Sequence, residues 1–247
     1  MCGRFVIKSP PDILRRMLDY REHPNFPPRY NIAPTQPVPI VRLEQGGRTL
    51  QLVRWGLLPA WVKDPKAFSL VINARAESVN EKPAFRLAMQ RRRCLIPADG
   101  FYEWKGEGAA KRAYYAHAAD GQPFAFAGLW ECWTGPNGEE MESAAIVTTT
   151  ANRVLGAIHH RMPVILPAEA YAPWLDCAGV DGQEATTLLR PAPDEMMIAH
   201  PVSAAVNKVV NDDARLIEAV SEENALPSQP DPRRRKSATD ERQASLF

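Results

Sequence analysis

The chain has 247 residues, of which 45% are hydrophobic and 24% are charged, as is usual for a soluble globular protein. Lys plus Arg total 30 against 29 for Asp plus Glu, and this net charge of +1 excludes a globally basic nucleic-acid-binding protein. The four scattered cysteines exclude a disulfide framework or a zinc knuckle, and without a leader or an apolar run of about 18 residues we expect a cytoplasmic protein.

The N-terminus carries the first chemical signal, because the chain begins Met1-Cys2-Gly3. Removal of Met1 would leave Cys2 with a free α-amine beside its thiol. Such an amine titrates near pH ~7.7–8.0 and a free thiol near ~8.5, so both are usable nucleophiles at neutral pH. The amine can form an imine with an aldehyde, and the thiol can then close a five-membered thiazolidine ring. Position alone does not distinguish this use from a cysteine without function.

The first elements are a helix, a loop and a hairpin. Ser9 followed by two prolines predicts an N-cap for a helix that continues through Leu18. The six prolines of His23–Pro39 predict an irregular loop. Two strand-like runs then flank a Gly-Gly turn, which predicts a β-hairpin of Val38–Leu43 and Thr49–Trp55.

The second half of the chain follows a β pattern after a helix predicted over Ala84–Arg93. Turn residues separate four strand-like runs, namely Phe101–Lys105, Arg112–His117, Phe124–Trp133 and Ser143–Thr150. Two short helices, Ala151–Ile158 and Pro167–Leu175, and a late strand, Glu195–His200, complete the pattern. The sum predicts an α+β fold with a mainly antiparallel, barrel-like sheet and peripheral helices.

The C-terminal segment differs from the rest in composition. From about Ser221 the sequence is polar and contains prolines and the basic run Arg233–Lys236. Such a composition predicts a disordered tail that is solvated rather than bound to nucleic acid. We therefore expect one domain over residues 2–220 and a tail over residues 221–247.

Three internal segments concentrate reactive groups. In Val71–Glu77 a strand would place Asn73, Arg75 and Glu77 on one face. Asp99–Trp104 surrounds Glu103 with aromatic residues, as suits a proton shuttle. Ile158–Pro163 sets two imidazoles beside a guanidinium.

Each of these groups also has an ordinary interpretation. Glu103 could face solvent, and His159 could be a packed or surface histidine. Asn73 could cap a turn, while Arg75 and Arg161 could form surface ion pairs. Only their convergence in space would favour chemistry.

The order of these motifs resembles that of the SOS-response-associated peptidase (SRAP) family from Cys2 to about Asp212. The motifs that carry the resemblance are Cys2-Gly3-Arg4-Phe5, Tyr30-Asn31-Ile32-Ala33-Pro34, Trp55-Gly56-Leu57-Leu58-Pro59-Ala60-Trp61, Ile72-Asn73-Ala74-Arg75-Ala76-Glu77, Gly100-Phe101-Tyr102-Glu103-Trp104 and His159-His160-Arg161-Met162-Pro163. The resemblance implies the SRAP fold and a sensor of abasic sites in single-stranded DNA. It also implies a stable thiazolidine crosslink through the N-terminal cysteine, which self-removal of Met1 exposes.

The resemblance also implies roles for individual residues. Cys2 matches the crosslinking nucleophile, Asn73 the residue that orients it, Glu103 the proton shuttle and His159 the residue that assists sugar ring opening. His160 falls at a variable position. The residues expected to contact DNA are Arg4, Asn31, Pro34, Trp61, Arg75, Thr149 and Arg161. The expected partner is single-stranded DNA with an abasic site, bound by a monomer without a membrane, a metal or another cofactor.

Two other classes of function stay open from the sequence. An N-terminal-nucleophile amidohydrolase or cysteine peptidase would use the same Cys2 thiol, with Asn73 as an oxyanion donor. A non-covalent DNA- or RNA-binding module would leave the cysteine incidental.

Overall fold

β-Strands dominate the described part of the chain, which in this computed structural model comprises residues 2–108, 111–222 and 225. The strands are β1 (Phe5–Ile7), β2 (Arg29–Ile32), β3 (Pro37–Glu44), β4 (Gly47–Trp55), β5 (Asn73–Arg75), β6 (Arg93–Ala98), β7 (Gly100–Lys105), β8 (Arg112–Ala118), β9 (Phe124–Thr134), β10 (Glu140–Thr150), β11 (Arg161–Pro163), β12 (Ile165–Leu166) and β13 (Met197–Pro201).

The helices are short and lie between strands. The α-helices are α1 (Pro11–Leu18), α2 (Arg86–Arg91), α3 (Arg153–Gly156), α4 (Tyr171–Leu175) and α5 (Gly182–Ala185). Single 3-10 turns follow several strands and helices, including Ala76–Ser78 after β5 and Ala204–Asn207 after β13. No helix among the described residues is long and apolar enough to cross a membrane.

Five strands close into a barrel. β10 pairs with β4, β4 with β3, β3 with β6, β6 with β9, and β9 with β10 again. All of these pairings are antiparallel except that of β10 with β4. Closure removes the unpaired edges that an open sheet would expose. The far end of β10 is then free to pair with β11 and, in parallel, with β5.

The second sheet has the strand order β13-β8-β7-β1-β2. Its strand β1 alternates between two cores, because successive side chains of a strand point to opposite faces. Phe5 packs edge-on against Trp55 and Phe126 of the barrel, with ring centroids 5.1 and 5.9 Å away. Val6 joins a smaller apolar cluster that contains Tyr102. The N-terminal strand is therefore fixed between the barrel and the second sheet.

The predicted α+β fold with a mainly antiparallel, barrel-like sheet is confirmed, and the predicted hairpin is present as β3 and β4. Two local predictions were wrong. Pro10, not Ser9, occupies the N-cap position of α1, because the Ser9 hydroxyl instead donates to Asp99 Oδ1 at 2.5 Å. The proline-rich stretch is not wholly irregular, since it contains β2 and the start of β3. The basic run of the C-terminal segment lies outside the described residues.

Candidate active site

Cys2 lies three residues before the start of β1 and is completely buried. Its Sγ lies 3.8 Å from the carbonyl oxygen of Arg4. The Asn73 side chain holds the cysteine backbone, because Nδ2 donates a 2.9 Å hydrogen bond to the Cys2 carbonyl. The sheet fixes the residues that follow, since Phe5 pairs with Ile32 of β2 and Phe101 of β7.

Asn73 begins β5 and owes its position to β10, where Ile146 is its parallel partner. The preceding residue is also anchored, because the Trp55 indole donates to the Ile72 carbonyl at 3.1 Å. Asn73 Oδ1 is buried and accepts no hydrogen bond from any described residue. A buried acceptor of this kind is rare in native proteins and marks a place where a donor is expected to bind.

Glu103 lies in β7 opposite Tyr114 of β8 and is 2% exposed. Its charge acts on two neighbouring groups. Burial raises the pKa of the Cys2 thiol, and the negative charge of Glu103 raises it further. Burial lowers the pKa of His159, and the same carboxylate opposes that shift. The charge of Glu103 therefore acts on both the Cys2 thiol and the His159 imidazole.

His159 is half-buried just before β11. Its Nδ1 lies 3.0 Å from the backbone nitrogen and 3.2 Å from the carbonyl oxygen of Arg161, so the backbone of Arg161 holds the ring through this nitrogen. The exposed ring of His160 stacks on it, with centroids 4.4 Å apart. The orientation of the imidazole is thus fixed by its neighbours in the chain.

Arg161 points inward and is 7% exposed. Its two terminal nitrogens donate to the carboxylate of Glu77 at 2.7 and 3.0 Å, and one of them also donates to the Thr148 carbonyl at 2.6 Å. Hydrogen bonds from Arg161 lower the pKa of Glu77. The prediction that Glu77 shares a strand face with Asn73 was wrong, because β5 ends at Arg75 and Glu77 lies in a 3-10 turn.

Arg4 and Asn31 form a second buried connection. Arg4 Nη1 donates to Asn31 Oδ1 at 2.8 Å and to the Val206 carbonyl at 2.9 Å. Asn31 is completely buried, and its amide donates to the carbonyls of Val206, Lys208 and Asn211. Asn31 thus fixes the backbone near residue 208 by hydrogen bonds and exposes no surface to solvent.

An apolar groove of about 480 Å³ runs beside Asn73. Its walls include Trp61 and Phe85, and Arg75 and Lys82 bring cations to it. Trp61 is 54% exposed and packs edge-on against Phe68 with centroids 5.8 Å apart. The exposed guanidinium of Arg75 makes no hydrogen bond or ion pair with the described residues. The groove therefore offers aromatic and cationic surface beside Asn73, the residue that holds the Cys2 backbone.

The two remaining predicted DNA contacts lie in different surroundings. Pro34 is half-buried in the connection between β2 and β3, and Thr149 is nearly buried in β10, where it pairs with Met162. The structure thus brings Cys2, Asn73, Glu103 and His159 together. Among the described residues no group of three or more His, Cys, Asp or Glu side chains could hold a metal ion.

Sequence reasoning overlooked two supporting features of the site. One is the pairing of Arg161 with Glu77, although both residues lay in the motifs. The other is the aromatic wall formed by Phe68 and Phe85, which lie outside every motif and carried no signal of their own.

Comparison with known proteins gives a consistent result. Residues 1–209 match the family model described as SOS response associated peptidase (SRAP). The abasic site processing protein YoqW of Bacillus subtilis is 38% identical over 223 residues, covering 89% of this chain and 100% of YoqW. The abasic site processing protein HMCES of Xenopus tropicalis is 30% identical over 265 residues, covering 89% of this chain and 78% of HMCES. A crystal structure of a protein from Bacteroides thetaiotaomicron superposes with a TM-score of 0.80 at 28% identity, covering 89% of this chain and 100% of that one.

Proposed function

The chain belongs to the SOS response associated peptidase family, and on that premise we propose that it processes abasic sites in DNA by covalent capture. Removal of Met1 would free the α-amine of Cys2, which with the thiol then traps the ring-opened sugar of an abasic site in single-stranded DNA as a thiazolidine. The names of the relatives, abasic site processing proteins, support the substrate class. The observation that carries the chemistry is the convergence of Cys2 with Asn73, Glu103 and His159.

The first step is opening of the closed hemiacetal sugar. It needs one group to donate a proton to the ring oxygen and another to accept the proton of the anomeric hydroxyl. A ring N–H of neutral His159 is a suitable donor to the ring oxygen, and the Glu103 carboxylate is a suitable acceptor for the proton of the anomeric hydroxyl. Glu103 then passes this proton to His159, so the product is an aldehyde within the site and both groups return to their starting forms.

The second step joins the Cys2 amine to the aldehyde carbon. The amine passes its first proton through Glu103 to the carbonyl oxygen, which gives the carbinolamine. Its second proton follows through Glu103 to the carbinolamine hydroxyl, which leaves as water and leaves a neutral imine. Asn73 would direct this attack, because its unoccupied Oδ1 can accept from the amine while Nδ2 holds the Cys2 carbonyl. Misplacement by about 1 Å can cost ~10²-fold in rate, so this positioning matters.

The third step closes the ring. The Cys2 thiol adds its sulfur to the imine carbon, and its proton passes through Glu103 to the imine nitrogen, which becomes the ring amine. Because burial raises the pKa of the thiol, the group arrives protonated and needs a nearby base. The carboxylate of Glu103 supplies that base. Every group required comes from a single chain, which favours action as a monomer.

Non-covalent binding would use the surface around the groove. An abasic site has no base edge to read, so affinity should come from phosphates and from stacking of the neighbouring bases. Trp61 offers the stacking surface, and Arg75 offers a cation that is not engaged elsewhere in the described structure. Binding should therefore depend little on base sequence.

A denaturing gel tests the proposal directly. The mature protein is incubated with a single-stranded oligonucleotide that contains one abasic site, and the mixture is denatured by heat. We expect a persistent shift, which Cys2→Ala abolishes while native binding remains. Cys177→Ala is the matched control, because this partly exposed cysteine lies outside the site and should leave the adduct intact.

Three outcomes would contradict the proposal. A heat-stable adduct formed by Cys2→Ala would exclude the assigned nucleophile. Turnover of peptides without an adduct would favour the N-terminal-nucleophile hydrolase, and a shift only in native gels would favour a binding module. The mass of the intact protein provides the companion measurement, since a retained Met1 would block the amine.

A further inference from the structure

Two valines occupy the tip of an exposed turn that follows the 3-10 turn Ala204–Asn207. The turn spans Lys208–Asn211, and the backbone N–H of Asn211 donates to the Lys208 carbonyl at 3.0 Å. Val209 is 41% exposed and Val210 is 87% exposed. Turn tips usually carry Gly, Pro, Asn, Asp or Ser, because these residues suit the backbone and the solvent. Two adjacent β-branched apolar residues at this place therefore need an explanation.

The turn is fixed on both sides by buried groups. The Asn31 amide donates to the carbonyls of Lys208 and Asn211, at 3.1 and 2.7 Å. Directly after the turn, Asp212 Oδ1 accepts the backbone N–H of Tyr30 and of Asn31. A turn held in this way presents its two valines in one arrangement, with little conformational entropy left to lose on contact.

The turn adjoins the nucleophile segment through two side chains. Arg4, two residues after Cys2, donates to the Val206 carbonyl at 2.9 Å. Trp104, next to Glu103 in β7, donates its indole N–H to Asn207 Oδ1 at 2.8 Å. Cys2 and Arg4 are at most about 7 Å apart along the chain, since an extended residue spans no more than ~3.6 Å. The valine tip is thus tied to the segment on which the abasic sugar would react.

We propose that Val209 and Val210 form a rigid apolar wedge that contacts an unstacked base beside the abasic site. The proposal rests on the proposed function and adds a second base contact to that of Trp61. Single-stranded DNA is the occupant because the tip combines apolar surface with the exposed cation of Lys208, which suit a base and its phosphate. A base next to an abasic site has lost a stacking neighbour, so apolar surface can take that neighbour's place.

The test uses an oligonucleotide with a tetrahydrofuran abasic analogue, which cannot form an adduct, and 2-aminopurine on one side of it. Binding of the mature protein should raise the 2-aminopurine emission on one side of the lesion. In the Val209→Ser/Val210→Ser double variant that emission should fall, and binding measured by anisotropy should weaken about fivefold because apolar contact is lost.

Two further variants make the result decisive. Leu52→Ser removes another exposed apolar side chain, 58% exposed in β4, and should leave both signals unchanged. The isosteric Val210→Thr change is tolerated by an exposed turn and should weaken binding less than the double change. Wild-type emission and affinity in the double variant would overturn the proposal, even where the wild-type protein forms its adduct. Failure of the wild-type protein to form any adduct would instead refute the proposed function.

Discussion

At the scale of single residues, Arg161 is placed to support His159 and is poorly placed to meet a phosphate. Its side chain is 9% exposed and is shared between the Glu77 carboxylate and the Thr148 carbonyl, while its backbone N–H fixes the imidazole. A buried guanidinium that loses its carboxylate keeps the cost of burial without the compensating attraction. Glu77 is therefore a structural partner of Arg161 and, through it, of His159.

The change Glu77→Gln tests this relation. We expect it to lower the stability by about 1 kcal/mol, because one partner is half-exposed, and the Tm by about 2–4 °C. The pKa of Glu77 lies below its ordinary value of 4.5 because Arg161 donates to it, so the contribution is complete above pH 4.5 and disappears as the pH falls through the lowered pKa. Thermal unfolding of the two proteins from pH 7 to pH 3 measures the difference, with the exposed Glu81→Gln as control. If the difference in Tm between wild type and Glu77→Gln does not become smaller in acid, the ion pair of Glu77 with Arg161 does not stabilise the protein as stated.

His159 leads to a second pH dependence. Burial lowers its pKa from 6.5, so the imidazole is neutral throughout the neutral range. We consider the ratio of the wild-type rate of adduct formation to the His159→Gln rate. The titration of the Cys2 amine affects both rates equally and therefore cancels in this ratio. We expect this ratio to be constant above pH 6.5 and to decline only below it, as the imidazole gains a proton. Quenched-flow gels at a series of pH values supply the rates, and a ratio that already falls above pH 7 would refute the neutral role.

At the scale of secondary-structure elements, the position of Cys2 depends on how closely β1 approaches its neighbours. Val6 of β1 pairs with Gly100 of β7, and the face of Gly100 is covered by the Tyr115 ring. A Cβ added at Gly100 would lie 2.4 Å from that ring, closer than any real contact. The absence of a side chain at this point lets β1, β7 and the ring of β8 pack together.

The change Gly100→Ala should therefore destabilise the protein by about 2–3 kcal/mol through overpacking, and should slow adduct formation because β1 shifts. Gly156→Ala is the matched control: nothing lies within 4 Å of its Cβ position, and alanine in a helix is favoured over glycine by about 0.5–1 kcal/mol. Urea unfolding of both variants measures these changes in the free energy of unfolding. Equal stability of Gly100→Ala and wild type would mean that Tyr115 has room to move.

The elements also show how far the sequence alone could lead. Local signals sufficed for the hairpin, since Gly46 and Gly47 both adopt the positive φ that only glycine takes readily. They failed at Ser9, whose hydroxyl is bound by Asp99 some 90 residues away, a long-range contact that capping rules do not include. They also failed at Glu77, because the pairing that ends β5 at Arg75 comes from β10. The candidate catalytic residues were predicted through the family resemblance, whereas their convergence depends on such long-range pairings.

At the scale of the whole molecule, a net charge of +1 provides no long-range attraction for DNA, so local cations must supply it. Three neutralised phosphates would give a slope of log affinity against log salt of roughly −2, at ~0.7 per phosphate. Of the three arginines expected to contact phosphate, Arg161 is engaged by Glu77 and Arg4 by Asn31. Arg75 is the exposed member of this set, and it lines the groove.

The change Arg75→Gln should accordingly reduce the magnitude of the salt slope by about 0.7, the share of one phosphate on a single strand. Anisotropy titrations of a tetrahydrofuran oligonucleotide at several salt concentrations measure it. Arg16→Gln, an exposed arginine of α1, should leave the slope unchanged. An unaltered salt slope in Arg75→Gln would mean that another cation, and not Arg75, contacts the phosphate.

The complete burial of Cys2 has a consequence for the protein's resistance to oxidants. Oxidation to the sulfenic acid proceeds from the thiolate and needs access for peroxide, and a buried thiol with a raised pKa offers neither. Cys132 and Cys177 are partly exposed and should react with hydrogen peroxide first. The burial of Cys2 therefore predicts that Cys132 and Cys177 are oxidised before it.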